Sequence, residues 1–236
     1  MANTCQDWSA AKKRVNLPGM FPRPALLLLA VTLTLAACAR ERPLPQRVDG
    51  QPPVASREVA QCFADLRINR SAFSPVPDQQ FAPGCAVRGA VSLSSLGGDA
   101  GQIAVSNLGP VACPLASGFN AWIRFGVDRA ARQILGSPLA RVETMGSYAC
   151  RNVAGTSRLS AHSQARAIDV SGFELADGRR ITVLADWSGG TEAERRFLRV
   201  IRDSACRRFG VVLSPDYNAA HRDHLHIEEG GGSFCR

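Results

Sequence analysis

Residues 160–175 read Ser160-Ala-His162-Ser-Gln-Ala165-Arg-Ala167-Ile168-Asp169-Val170-Ser171-Gly-Phe-Glu-Leu175. From Ala165 on, the pattern predicts a strand. Side chains alternate along a strand, so Ala167, Asp169 and Ser171 share one face while Ile168 and Val170 bury the other. A second short segment, His221-Arg-Asp-His224-Leu225-His226, reads the same way near its end. His224 and His226 point together, with Leu225 turned to the core. An antiparallel pairing of the two strands brings Asp169 beside His226, and His162, on the preceding turn, reaches back over the sheet. Two imidazoles and one carboxylate form a common ligand set for hydrolytic zinc. The chain has only four histidines, and all of them lie in these two segments.

Working outward, 58–66 is expected to be a short helix with Val59, Cys62 and Phe63 on one side, and a strand is expected within 84–96. Residues 114–135 carry Phe119, Trp122, Ile123, Val127, Ala130, Ala131 and Ile134 at helical spacing. A strand follows over 139–147. Residues 165–175 and 180–184 form a hairpin about the turn Asp177-Gly178. Thr191 followed by Glu194 has the form of a capping box, predicting a helix to residue 209. Short strands over 211–213 and 224–228 complete the pattern. The mixture lacks a regular βαβ repeat, so the fold class is α+β with a mainly antiparallel sheet.

The N-terminal 37 residues read as a targeting segment. Lys12, Lys13, Arg14 and Arg23 precede an apolar run over 25–37, too short for the roughly 20 residues a bilayer core requires and suited to a signal peptide. Met20 gives a more ordinary start than Met1. The run ends Leu35-Ala36-Ala37-Cys38, which resembles the lipobox of bacterial lipoproteins. That resemblance implies lipidation at Cys38 and attachment to the membrane through the lipid alone, on the periplasmic side of the envelope, with the outer membrane favoured. Residues 38–57, with Pro43, Pro45, Pro52 and Pro53, read as a solvated tether. Residues 58–236 are one domain's worth of chain.

Loss of residues 1–37 lowers the net charge from +8 to +5. A mildly basic exported protein suits a polyanionic wall or anionic lipid. No basic stripe with interleaved aromatics speaks for nucleic acid. Six further cysteines remain, Cys62, Cys85, Cys113, Cys150, Cys206 and Cys235, with no C-x-x-C pair among them. In an oxidising compartment they are expected as disulfides, with many pairings open. Pairing in sequence order, Cys62–Cys85, Cys113–Cys150 and Cys206–Cys235, is the expectation.

Ser160-x-His162-x-x-Ala165-x-Ala167-x-Asp169 resembles the S-x-H-x-x-G-x-A-x-D motif of the zinc peptidases that group D-Ala-D-Ala carboxypeptidases with penicillin-insensitive murein endopeptidases. The H-x-x-H-x-H pattern of 221–226 resembles the endopeptidase branch. From about Cys62 to Cys235 the chain is similar to the bacterial extensin-like C-terminal domain, on Cys150-Arg151, Asp186-Trp187, Cys206 and Cys235. The resemblance implies one Zn2+ per chain on His162, Asp169 and His226. It implies His224 as base or transition-state stabiliser, His221 as a supporting or substrate-side histidine, and Arg151 as a grip for a substrate carboxylate or carbonyl. The implied substrate is a stem or cross-link peptide of peptidoglycan. Ala165 departs from the motif's glycine, and a left-handed backbone there is expected to cost about 1 kcal/mol or more. The alternative function is a non-catalytic, metal-containing module that binds wall polymer. No G-x-S-x-G speaks for serine catalysis.

Overall fold

The computed structural model describes residues 57–230 and 233–236; the signal segment, Cys38, the tether up to residue 56 and the glycines at 231–232 lie outside the described residues. In chain order the elements are α1 (Arg57–Ile68), β1 (Ala72–Val76), β2 (Gln79–Ala82), β3 (Cys85–Val87), β4 (Ala90–Gly97), β5 (Gln102–Ser106), β6 (Pro110–Ala112) and α2 (Cys113–Trp122). After them come β7 (Leu139–Gly146), β8 (Ala167–Leu175), β9 (Arg180–Thr182), α3 (Val183–Asp186) and α4 (Glu192–Cys206). β10 (Val211–Leu213), β11 (Leu225–Glu228) and β12 (Phe234–Cys235) close the chain.

One sheet runs β1-β4-β5-β7-β8-β11-β10-β12, with β6 also on β4 and β9 also on β8. Its pairs are antiparallel except β5 with β7 and β10 with β12. This is the expected α+β class with a mainly antiparallel sheet. Val91 and Leu93 of β4, Val142 of β7, Ile168 and Val170 of β8, and Leu225 and Ile227 of β11 bury one face of the sheet. They pack there in a single cluster with Phe119 and Trp122 of α2 and Phe197, Leu198 and Ile201 of α4. The Trp122 indole N–H donates to the Ile201 carbonyl at 3.1 Å, joining the two helices. Thr191 and Glu194 form the expected capping box on α4. The opposite face carries Asp169, His224 and His226.

Some elements differ from expectation. The strand expected within 84–96 divides into β3 and β4 at Gly89, whose φ of +52° favours glycine. The long helix keeps its extent, but beyond α2 it widens into π turns over Ile123–Asp128 and Ala131–Leu135 before Gly136 stops it in the left-handed region. Apolar spacing does not distinguish an i→i+5 turn from an α turn. Residues 183–184 begin α3 rather than extending β9, because the Thr182 hydroxyl caps the Ala185 N–H at 3.2 Å. α4 stops at Cys206. β1 went unanticipated: Pro75 lies within it, which an edge strand tolerates.

The disulfide pairing is corrected. Cys62 joins Cys113, Cys85 joins Cys150, and only Cys206–Cys235 follows sequence order. Cys62 lies on α1, which packs against α2, where Cys113 is the first residue. Cys85 lies in the small β2–β3 hairpin, and its neighbour is the segment that leaves β7. Cα separations of 5.8, 5.4 and 5.6 Å suit disulfides. Each bridge restricts the unfolded chain by roughly 4 kcal/mol in the loop-entropy treatment.

Non-reducing peptide mapping is therefore expected to recover Cys62–Cys113, Cys85–Cys150 and Cys206–Cys235, and recovery of Cys62–Cys85 would refute this topology. Thr191→Ala is expected to lower stability by about 1 kcal/mol in denaturant titration, through loss of the α4 cap.

Candidate metal centre

β8 and β11 pair antiparallel with His226 directly opposite Asp169. Register alone thus joins a carboxylate to an imidazole across 57 residues of chain. On the other side of β8, Val170 faces Thr144 while Gly172 faces Glu143, so Ser171 is an extra residue. The resulting bulge lets Val170 and Phe173 both enter the core while Asp169 stays on the open face.

His162 comes from a 3-10 turn, Ala161–Gln164, where the His162 N–H donates to the Ser160 hydroxyl at 3.4 Å and whose end is Ala165. Ala165 does not begin the strand as expected but has a left-handed backbone, φ 55° and ψ 30°, and β8 starts at Ala167. Two hydrogen bonds hold it: its N–H donates to the His162 carbonyl at 3.1 Å, and its carbonyl accepts from Ala112 at 2.8 Å. Its buried methyl packs against Val87 and Ala90. The turn aims the ring at the strands.

Three ligand atoms then converge. His162 Nε2 lies 3.1 Å from Asp169 Oδ2 and 3.2 Å from His226 Nδ1, and Asp169 Oδ1 lies 2.7 Å from His226 Nδ1. Tetrahedral zinc with bonds near 2.1 Å holds its ligands ~3.4 Å apart, so small outward shifts fit a divalent cation here. All three residues are buried. A second candidate group, His221, His224 and His226, shares His226 with the first.

Of the remaining sequence-predicted residues, His224 is closest. Its Nε2 lies 3.6 Å from Asp169 Oδ1, and its Nδ1 is 2.8 Å from Asp223 Oδ1. The His221 ring is 5.1 Å from that of His224 and 5.8 Å from that of His226. Arg151 is near enough to His221 to help lower its pKa, but among the described residues it hydrogen-bonds to none of these side chains. It lies at the base of an arm, residues 150–160, where its carbonyl accepts from the Ser160 N–H and its exposed guanidinium donates to the Asn152 carbonyl at 3.5 Å. The Cys85–Cys150 bridge fixes that base.

Four supporting groups were not anticipated. The Ser147 carbonyl lies 3.1 Å from His162 Nδ1, Glu228 Oε1 lies 2.8 Å from His226 Nε2, Asn218 Oδ1 lies 2.7 Å from His221 Nδ1, and Asp223 orients His224. Glu228 was visible as the next residue on the His226 face of a strand. A backbone carbonyl leaves no signal in sequence.

Charge is balanced unevenly. Burial alone would raise Asp169, but His162 and His226 outweigh it and hold the carboxyl far below its ordinary range. Burial opposes the charged form of His226 as well, yet Asp169 and Glu228 push it up to about 9. Burial, then the neighbouring His224 and His226, push His221 down to about 4.

A cation needs the His226 Nδ1 lone pair, so its uptake expels a proton. Zinc affinity is accordingly expected to fall as pH drops below about 9, with proton release read by calorimetry in buffers of different ionisation heat. In the metal-free protein the His226 contribution to stability is complete below 6.5 and lost as pH rises through 9. The Asp169 contribution is complete above 3.8 and lost as pH falls through its depressed folded value. Denaturant titrations of chelator-treated protein should thus weaken between pH 6.5 and 9. Ala165→Gly relieves about 1 kcal/mol of backbone strain and removes a buried methyl worth about 0.8 kcal/mol. Its measured stability is expected to stay within about 1 kcal/mol of the parent, because these nearly cancel.

Among curated proteins and among solved structures, no match was found. The family described as Extensin-like protein C-terminus matches residues 60–236, covering the whole sheet, all three disulfides and both histidine segments. The chain belongs to this extensin-like C-terminal family.

Proposed function

We propose that the protein is a zinc-dependent hydrolase of peptide bonds in peptidoglycan, of endopeptidase or carboxypeptidase type, anchored to the envelope through Cys38. The observation that carries this proposal is the convergence of His162, Asp169 and His226 with His224 beside them. Their donor set and spacing suit zinc, and their positions match the ligands of the zinc peptidases that the two motifs resemble. The chemistry zinc supplies when bound is polarisation of the scissile carbonyl and a lowered pKa for the attacking water.

The chain's own groups supply the proton transfers. Asp223 Oδ1 accepts from His224 Nδ1–H, which leaves the Nε2 lone pair facing the Asp169 side of the site. There His224 takes the proton of the attacking water and returns it to the leaving amine. Asn218 fixes His221 in the same sense, and the low pKa keeps that ring neutral, an acceptor for a substrate N–H. Arg151, exposed and near enough to His221 for their charges to interact, would grip a substrate carboxylate or carbonyl. The mildly basic charge and the tether suit a protein working against anionic wall polymer.

Defined muropeptides incubated with the purified protein, with and without chelator, are expected to yield products shortened at one peptide bond only when zinc is present. His224→Ala should keep its zinc and lose roughly 10²–10⁴-fold in turnover; loss of the zinc as well would make His224 a ligand. Arg151→Ala should chiefly raise KM. Zinc-loaded protein that binds peptidoglycan but releases no amine from any cross-link would overturn the hydrolase in favour of a wall-binding module.

A further inference from the structure

His226 has two ring nitrogens, and a metal centre depends on which of them turns inward. The ring is held edge to edge between two carboxylates: Nδ1 is 2.7 Å from Asp169 Oδ1, and Nε2 is 2.8 Å from Glu228 Oε1. Glu228 follows two residues later on β11, on the same face. Its register partner on β8 is Ala167, whose small buried side chain leaves the glutamate room to lie along the strand. His162 is held in the opposite sense. Its Nδ1 faces the Ser147 carbonyl at 3.1 Å, an oxygen that only accepts, so the neutral ring keeps its proton there and presents Nε2 inward. One histidine thus offers Nε2 and the other Nδ1, and both meet Asp169.

We propose that Glu228 is a positioning residue of the metal centre: by accepting the Nε2–H of His226 it fixes the tautomer and ring orientation that make Nδ1 the donor atom. This rests on the metal-centre reading above. A carboxylate behind a ligating imidazole orients the ring and increases its donor strength, and its loss typically costs tenfold to a hundredfold in metal affinity. Without Glu228 the ring is free to rotate about Cβ–Cγ and to carry its proton on either nitrogen, so part of the binding energy goes to reordering it. Glu229, the next residue, offers an internal control. It is turned to the other side of the strand, where it pairs with Arg166 at 3.1 Å.

Zinc affinity of the purified protein, measured by competition with a chromophoric chelator, separates the possibilities. Glu228→Ala is expected to bind zinc roughly tenfold to a hundredfold more weakly. Glu228→Gln, which keeps an acceptor oxygen, should recover at least half of that loss on a logarithmic scale, and Glu229→Ala should match the parent. Nitrogen-15 spectra of the zinc-loaded protein should show His226 bound through Nδ1 with a slowly exchanging Nε2 proton that becomes fast-exchanging in Glu228→Ala. Zinc affinity in Glu228→Ala equal to the parent, or an equal loss in Glu229→Ala, would overturn the assignment while leaving the metal centre intact. A parent protein that takes up no zinc would overturn both.

Discussion

Everything at the site depends on one cross-strand pair. His226 stands opposite Asp169 because β11 lies antiparallel to β8 in a single register, and a slip of one residue would turn Ile227 outward and bury His226 in its place. What holds the register is the core behind it. Ile168 and Val170 on one strand and Leu225 and Ile227 on the other are all fully buried against α2 and α4. The hydrophobic alternation that fixes the sheet is therefore the same alternation that aims the ligands, and neither can change without the other.

The third ligand arrives by a different route. His162 is delivered by a turn whose last residue pays a conformational cost at Ala165, and the surroundings explain why the cost is tolerated. The Ala165 carbonyl is tied to the N–H that precedes α2, its N–H to His162 itself, and its methyl to a small apolar cluster beside β3. The Cys85–Cys150 bridge joins β3 to the segment carrying Ser147, whose carbonyl orients the His162 ring. Disulfide, strained turn and candidate ligand form one mechanical unit.

How much of this was legible in sequence follows from the range of each interaction. Period-two alternation at 167–171 and 224–226 is local and put Asp169 and His226 on the same open face, and the expected antiparallel pairing sets them opposite each other. The Thr191–Glu194 box was legible for the same reason: four consecutive residues contain the whole signal. That the six cysteines form disulfides was legible, and so was Cys206–Cys235, but the other two pairings were not. Which cysteine meets which depends on the side of the sheet each element takes, and Cys62 sits among the helices while Cys85 sits in a hairpin beside the site. Ser147 acts through its backbone, which no residue pattern records, whereas Glu228 required only that the strand be followed two residues further.

The placement of the ligands along the chain has a consequence for biogenesis. His162 and His226 are 64 residues apart and meet only where β11 docks on β8. Until β11 docks, the chain offers His162 and Asp169 without the third donor of that buried group. A cation that required all three donors would be captured only after β11 had docked on β8, and its loading would report a finished fold.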